Sequence, residues 1–389
     1  MKILKKNDGA WFISLRNIHC LVGLLCLASL PFTTAAEPEP SSPANKALAA
    51  YANHRDLQVV ADQTGKLSPV KTADDWHKRR SHILLGMQQA MGPLPDRNNL
   101  PELDVRVTET VQVDGLTRIK MTIAAEEGDR LPLYLFLPQM KLGERRPAVL
   151  ALHPTGAPGK DIVSIVGGGK ENRQYALELA QRGYVVVAPD YPSFGEAKEY
   201  NFEKDRYVSG TMKGIWNHMR CVDFLQSRPE VDGEKIAAIG HSLGGHNAMF
   251  VGVFDERIKV IVSSCGWTPF HDYYAGKIAG WTSDRYMPLL KTRYELNADL
   301  VPFDFYEIVA ALAPRTFFSA SPLHDSNFEV SGVRKAEAVA KPIFSLLGAE
   351  SSLQIAYPDC AHDFPPDMRQ QAYSTIDQTF KFQPVRKVP

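Results

Sequence analysis

KIAAIGHSLGGHNAMF (Lys235–Phe250) joins an apolar run to a helical pattern through a turn made largely of glycine. Ile236 to Ile239 has the signature of a short buried strand and stops at Gly240. Apolar positions resume after Gly245 at helical spacing, with His246, Ala248, Met249 and Val251. The junction Gly240-His241-Ser242-Leu243-Gly244 fits G-x-S-x-G, a sharp strand-to-helix turn that holds its serine in a strained backbone conformation. Only small residues two positions either side of the serine avoid a clash there. Five residues of this pattern arise by chance in roughly one chain in ten of this length, so the strand before and the helix after give the match its weight. A serine at a helix N-terminus is also well placed for negative charge that develops during a reaction.

Working outward, near-continuous apolar runs alternate with helical patterns. PAVLALHP (147–154), YVVVAPD (184–190), KIAAIG (235–240), IKVIVSSCG (258–266), RTFFSASP (315–322) and LQIAYPD (353–359) read as six strands. NRQYALELAQRG (172–183) and TMKGIWNHMRCVDFLQSRP (211–229) read as helices between them. That order predicts an α/β fold, a mostly parallel sheet with helices on both faces. Ligands bind such sheets at the carboxyl ends of the strands. His153, Ser242, Asp325 and His362 each follow a strand. Before this region, Asp74–Met91 has helical spacing and 103–138 reads as two or three strands, an N-terminal helical and antiparallel-strand extension. Residues 270–313, rich in Tyr, Trp and Pro, read as an irregular cover over the site.

A serine hydroxyl needs a base to become a nucleophile, and the base needs an acid to orient it. In this architecture the order along the chain is Ser, then Asp or Glu, then His. His362, in the loop after the last strand, is the expected base, and Asp325, after the penultimate strand, the expected acid. Asp272 is the rival acid; Asp359 and Asp363 are too near His362 in sequence and read as turn residues. The oxyanion of acyl transfer needs two backbone donors. Leu243, next after the nucleophile, supplies one. The loop after the first parallel strand supplies the other from Thr155 or Gly156, because Pro154 has no N–H. His153 reads mainly as the residue that holds that loop. His153, Tyr191, His241 and Trp281 are the expected pocket residues, with Trp216, Trp267, Tyr286 and Phe194 as further aromatic candidates.

MGPLP (91–95), LPLYLFLP (131–138), LHPTGAPGK (152–160), APDYPSFGE (188–196), the stretch from Ile215 to Phe250, VPFDFYEIVAALAPRTFFSASPLHDSNF (301–328) and CAHDF (360–364) carry a resemblance to a known family. The chain resembles the α/β-hydrolase superfamily, and within it the secreted bacterial dienelactone-hydrolase-like and acetyl-xylan-esterase-like group. The resemblance covers about residues 75–385 and implies Ser242 as nucleophile, His362 as base and Asp325 as acid, with no metal and no organic cofactor. Dienelactone hydrolases proper carry cysteine at the elbow, so Ser242 points to carboxylic esters, short-acyl esters and acetylated carbohydrate among them. A peptidase or thioesterase would use the same triad, and an inactive hydrolase fold would only bind.

Composition narrows the rest. The 389 residues carry 44 basic and 44 acidic side chains, a balance unlike that of a nucleic-acid-binding protein. Residues 1–36 read as a signal peptide, with Lys2, Lys5 and Lys6, the apolar CLVGLLCLASL (20–30), and small residues before Glu37. The expectation is export without stable membrane insertion, a linker and N-terminal segment over 37–73, and a hydrolase domain over 74–385. Cys221, Cys265 and Cys360 are too few for a disulfide scaffold, and no CxxC suggests zinc. VGGGK (166–170) and GAPGK (156–160) lack the glycine spacing and the Ser/Thr of a phosphate loop and read as flexible loops near the pocket mouth.

Overall fold

The structure is a computed structural model that describes residues 43–385 apart from 166 and 169. The expected signal peptide therefore lies outside the described residues. Among those described, no helix is long and apolar enough to cross a membrane.

The described chain opens with α1 (Pro43–Ala49), a two-stranded hairpin of β1 (Val59–Ala61) and β2 (Leu67–Pro69), and α2 (Ala73–Met91). The part ahead of α2 lies in the segment read as linker and N-terminal segment, and from Pro43 on it contains α1 and the hairpin. Tyr51 and Leu57 are buried, and the Tyr51 hydroxyl accepts from Ala61 N–H at 2.7 Å and bonds His82 Nδ1 on α2 at 2.8 Å. A capping box between Thr72 and Asp75 starts α2; of the expected apolar stripe, Trp76, Ile83, Met87 and Met91 are buried and Leu84 is half-buried against the core.

Three antiparallel strands follow, β3 (Arg106–Val113), β4 (Leu116–Glu126) and β5 (Asp129–Leu137). The alternating part is β6 (Arg146–Leu152), α3 (Asp161–Ser164), α4 (Tyr175–Gln181), β7 (Val185–Pro189), α5 (Gly210–Ser227), β8 (Val231–His241), α6 (Leu243–Phe254) and β9 (Ile258–Ser264). The cover then contributes short 3₁₀ turns, α7 (Leu289–Thr292) and α8 (Phe305–Ala311), before β10 (Thr316–Ala320), α9 (Val330–Leu346), β11 (Leu353–Ala356) and α10 (Pro366–Phe380). One nine-stranded sheet runs β11-β10-β9-β8-β6-β7-β5-β4-β3. The six strands from β11 to β7 are parallel, and β5, β4 and β3 extend the sheet antiparallel.

Strand side chains alternate between faces. Ala148, Leu150 and Leu152 join the core under α2, α5, α6, α8 and α9, while Val149 and Ala151 join the core under α4 and α10. Both faces are thus covered, which is why these strands read as unbroken apolar runs. Register brings the strand ends level: Leu152 pairs Gly240, Gly240 pairs Ser263, and Ser264 pairs Ala320. The loops after β6, β8 and β10 leave the sheet at one edge.

Candidate active site

The turn between β8 and α6 has no room for side chains on its glycines. A Cβ on Gly240 would lie 2.1 Å from the Gly244 carbonyl carbon, and one on Gly244 would lie 2.0 Å from the Leu152 carbonyl oxygen. Between them Ser242 takes φ 55° and ψ −120°, a region that costs a non-glycine residue about 1–3 kcal/mol. The strain is held by neighbours: Ser242 N–H donates to Ser264 O at 2.8 Å, and His246 N–H donates to Ser242 O at 3.0 Å.

His362 Nδ1 lies 2.8 Å from Asp325 Oδ2 and 3.0 Å from Oδ1. The Asp325 side chain is buried, and its Oδ1 also accepts from the N–H groups of Asn327 at 2.8 Å and Phe328 at 3.2 Å. The loop after β10 thereby fixes its own carboxylate. An acceptor at Nδ1 places the proton there and leaves Nε2 as the basic nitrogen. The rival Asp272 is engaged elsewhere, with Lys335 Nζ at 2.5 Å and the Tyr306 hydroxyl at 3.5 Å. Asp359 pairs His324 at 2.8 Å. Asp363 binds Arg173, which holds its carboxyl below the usual range despite the cost of burial.

Two cavities meet at these groups. One, of about 200 Å³, is lined by Pro154, Thr155, Gly156, Pro158, Ile162, Lys170, Arg173, His241, Ser242 and His362. The other, of about 300 Å³, is lined by Thr155, Lys170, Ser242, Leu243, His246, Tyr273, Gly280, Trp281, Tyr286, Asn327, Phe328 and His362. Their charged lining residues besides His are the cations Lys170 and Arg173; no carboxylate lines either. The structure thus gathers Ser242, His362, Leu243, Thr155, Gly156, His241 and Trp281 around one space, with Asp325 behind His362.

His153 and Tyr191 do not line it. The His153 ring is buried, donates from Nδ1 to Pro154 O at 2.8 Å and accepts Tyr191 N–H on Nε2 at 2.9 Å. It ties the loop after β6 to the loop after β7, and burial keeps it neutral by lowering its pKa. The Tyr191 hydroxyl is turned away to Arg285 O at 2.7 Å. Trp216, Trp267 and Phe194 are core residues, while Tyr286 reaches the larger cavity. His241 is buried, with its ring 4.8 Å from that of His362. Burial first, then the nearby Arg173 and Lys170 cations and the neighbouring His362 ring, pushes its pKa well down.

The GAPGK segment is held rather than flexible. Lys160 is buried, its Nζ lies 2.6 Å from both Asp190 Oδ2 and Glu196 Oε2, and its N–H donates to Asp190 Oδ1 at 2.8 Å. Gly159 and Gly195 pack so closely on the Asp190 carboxylate that a Cβ on either would sit 2.2 or 2.1 Å from Oδ1. Sequence spacing gave no sign of this carboxylate hub because its partners come from two different loops.

Arg173, Tyr273, Asn327 and Phe328 are lining residues that sequence reading missed. Asn327 and Phe328 were recoverable, since residues directly after the acid share its loop. Cys265, at φ 49°, has its Sγ within 4.8 Å of the Asp325 and His362 ligand atoms, one group of three possible metal donors among the described residues. Burial and the Asp325 charge raise its thiol pKa well up, the thiol donates to Asp363 O at 3.2 Å, and His362 Nδ1 is committed to Asp325. A protonated thiol and a committed imidazole are poor ligands.

Comparison with known proteins agrees with this architecture. The family described as "Glucuronyl esterase, fungi" matches residues 192–348. The protein YtaP of Bacillus subtilis, named as a hydrolase, is 26% identical over 296 residues, covering 72% of this chain and 93% of its own. A 4-O-methyl-glucuronoyl methylesterase of Phanerochaete carnosa is 22% identical over 80% of this chain and 78% of its own. Among solved structures, a glucuronoyl esterase from Solibacter usitatus superposes with TM-score 0.63 at 21% identity, over 80% of this chain and 94% of that one. An acetyl xylan esterase from Paenibacillus sp. R4 gives 0.51 at 18% identity, over 76% and 99%. The chain has the α/β-hydrolase fold.

Proposed function

We propose that the protein is a serine carboxylic ester hydrolase acting on esters of carbohydrates, short-acyl esters in particular. The observation that carries this reading is the pairing of His362 Nδ1 with buried Asp325 at 2.8 Å, on a ring that shares both cavities with the strained Ser242. Ser242 Oγ bonds to the ester carbonyl carbon while His362 Nε2 takes its proton. Asp325 stabilises the imidazolium. The oxyanion is met by the N–H of Leu243 and by the Thr155–Gly156 loop, each preorganised donor contributing about 3–4 kcal/mol. His362 gives its proton to the alcohol oxygen as the C–O bond breaks. Water then attacks the acyl-enzyme by the same route and releases the acid. The esterase names of the relatives and structural neighbours support the reaction class and the carbohydrate substrate. The signal-peptide pattern of residues 1–36 supports export to the periplasm or the medium.

The test is hydrolysis of p-nitrophenyl acetate, butyrate and octanoate and of acetylated xylan by the purified protein beside Ser242→Ala. The expected result is activity that falls with acyl length and vanishes in the variant. Absence of activity in both proteins, with no fluorophosphonate labelling of Ser242, would leave a binding role instead.

A further inference from the structure

The two cavities that part at Ser242 differ in chemistry. In the smaller, Pro154, Pro158 and Ile162 offer no side-chain hydrogen bond and share the wall with the polar Thr155, Lys170, Arg173 and His241. The larger is walled by His246 and Trp281, buried at 1% and 4% exposure, and these carry three nitrogens, His246 Nδ1 and Nε2 and Trp281 Nε1, with no hydrogen-bond partner among the described residues. The rings lie against each other with centroids 4.8 Å apart. Buried polar groups are nearly always partnered, so three unpartnered nitrogens on two residues that line one cavity mark a place for a ligand's polar group.

We propose that the larger cavity is a hydroxyl-reading subsite for the sugar alcohol of the ester, with His246 and Trp281 as its specificity-determining residues, and that the smaller cavity takes the short acyl group. This rests on the esterase reading above. Burial alone drives the His246 pKa down to about 3, so at neutral pH its ring is uncharged, with one nitrogen donating and one accepting. Trp281 Nε1 only donates. Together they offer two donors and one acceptor, which suits sugar hydroxyls, each able to donate and to accept. A plain alkyl alcohol would leave all three nitrogens unpaired, and sites built around hydroxyls reject analogues that lack them.

The experiment compares kcat/KM for a monoacetylated methyl xyloside and for cyclohexyl acetate, esters alike in ring size and acyl group but not in hydroxyls. Wild type is expected to favour the sugar ester by at least about tenfold. His246→Phe, which keeps the stacked ring, and Trp281→Phe, which removes the indole N–H, are each expected to cut that preference by at least about fivefold. A wild-type ratio near one, or an unaltered ratio in both variants, overturns the proposal. Hydrolysis of neither ester by wild type overturns the esterase reading and this inference with it. A variant that no longer labels at Ser242 with a fluorophosphonate is set aside and the other decides. Loss of labelling in both makes the pair structural and overturns the proposal.

Discussion

Asp325 illustrates how far a single side chain is determined by its own loop. Two backbone N–H groups, from Asn327 and Phe328, hold its carboxylate independently of His362. Asp325→Asn keeps the size but changes the hydrogen bond that sets the imidazole tautomer. We expect kcat on p-nitrophenyl acetate to fall about 10⁴-fold, with KM changed much less, as the loss of an interaction made mainly in the transition state requires. Steady-state kinetics of the variant checks this. A loss below tenfold would transfer the acid's role elsewhere. At this scale the sequence was readable where neighbours along the chain decide the geometry: the glycines of the turn at Ser242, and the placement of Asp325 after β10 and His362 after β11 that lets the two pair. It was unreadable where a residue's partner comes from another loop. His153 follows the first parallel strand as a pocket residue would, but Tyr191 N–H, 38 positions away in sequence, occupies its second nitrogen.

Among the elements, α2 and α8 show how the N-terminal extension is fastened. Arg79 on α2 and His54 ahead of it both bind the buried Glu307 of α8, His54 Nδ1 at 2.9 Å. Glu307 also closes a capping box with Asp304 at the start of α8. The Arg79 and His54 cations hold the Glu307 pKa down against its burial, and Glu307 holds that of His54 up. Removing one member of a buried ion pair leaves the other uncompensated. Glu307→Gln is therefore expected to destabilise the fold by about 3–5 kcal/mol, measured by urea denaturation. A loss under 1 kcal/mol would mean the clasp is spectator to folding. The extents of α2 and the parallel strands followed from apolar periodicity, which their burial demands. The cover over 270–313 did not, because its short turns are shaped by aromatic packing such as Phe270 on Phe303 and Phe305, which leaves no period in the sequence.

For the molecule as a whole, four buried histidines set the response to acid. His153, His218, His241 and His246 all have folded pKa values below the ordinary 6.5, His218 and His246 at about 3. Below pH 6.5 the unfolded chain binds these protons and the folded one does not, so stability falls as pH falls through the window from 6.5 toward 3. Each contributes up to about 1.4 kcal/mol per pH unit well inside that window. Asp304, raised to about 7 by burial, and His54, raised by Glu307, act in the opposite sense, since their folded forms bind protons more tightly. His82, lowered by burial, joins the first group and Asp205, raised by burial, the second, so five against three gives a net loss toward acid. Thermal melts between pH 7 and 4.5 are expected to show a falling Tm, with a shallower slope in His218→Phe than in wild type. A Tm that rises toward acid would show that Asp304, His54 and Asp205 dominate. The overall architecture was legible because each parallel strand is covered on both faces. The sheet order and the folded stretch before Asp74 were not, since both depend on pairings between distant segments.

The division of the site at Ser242 has a consequence for the order of events in a turnover. On the proposed assignment, the smaller space stays filled once the acyl group is on Ser242, and the larger one empties as the alcohol departs. Water for the second half-reaction then arrives by the path that the alcohol has just left. A second alcohol at high concentration would take that same path and carry off the acyl group in place of water, so the enzyme's choice between breaking esters and making them is decided by what next enters the vacated lobe.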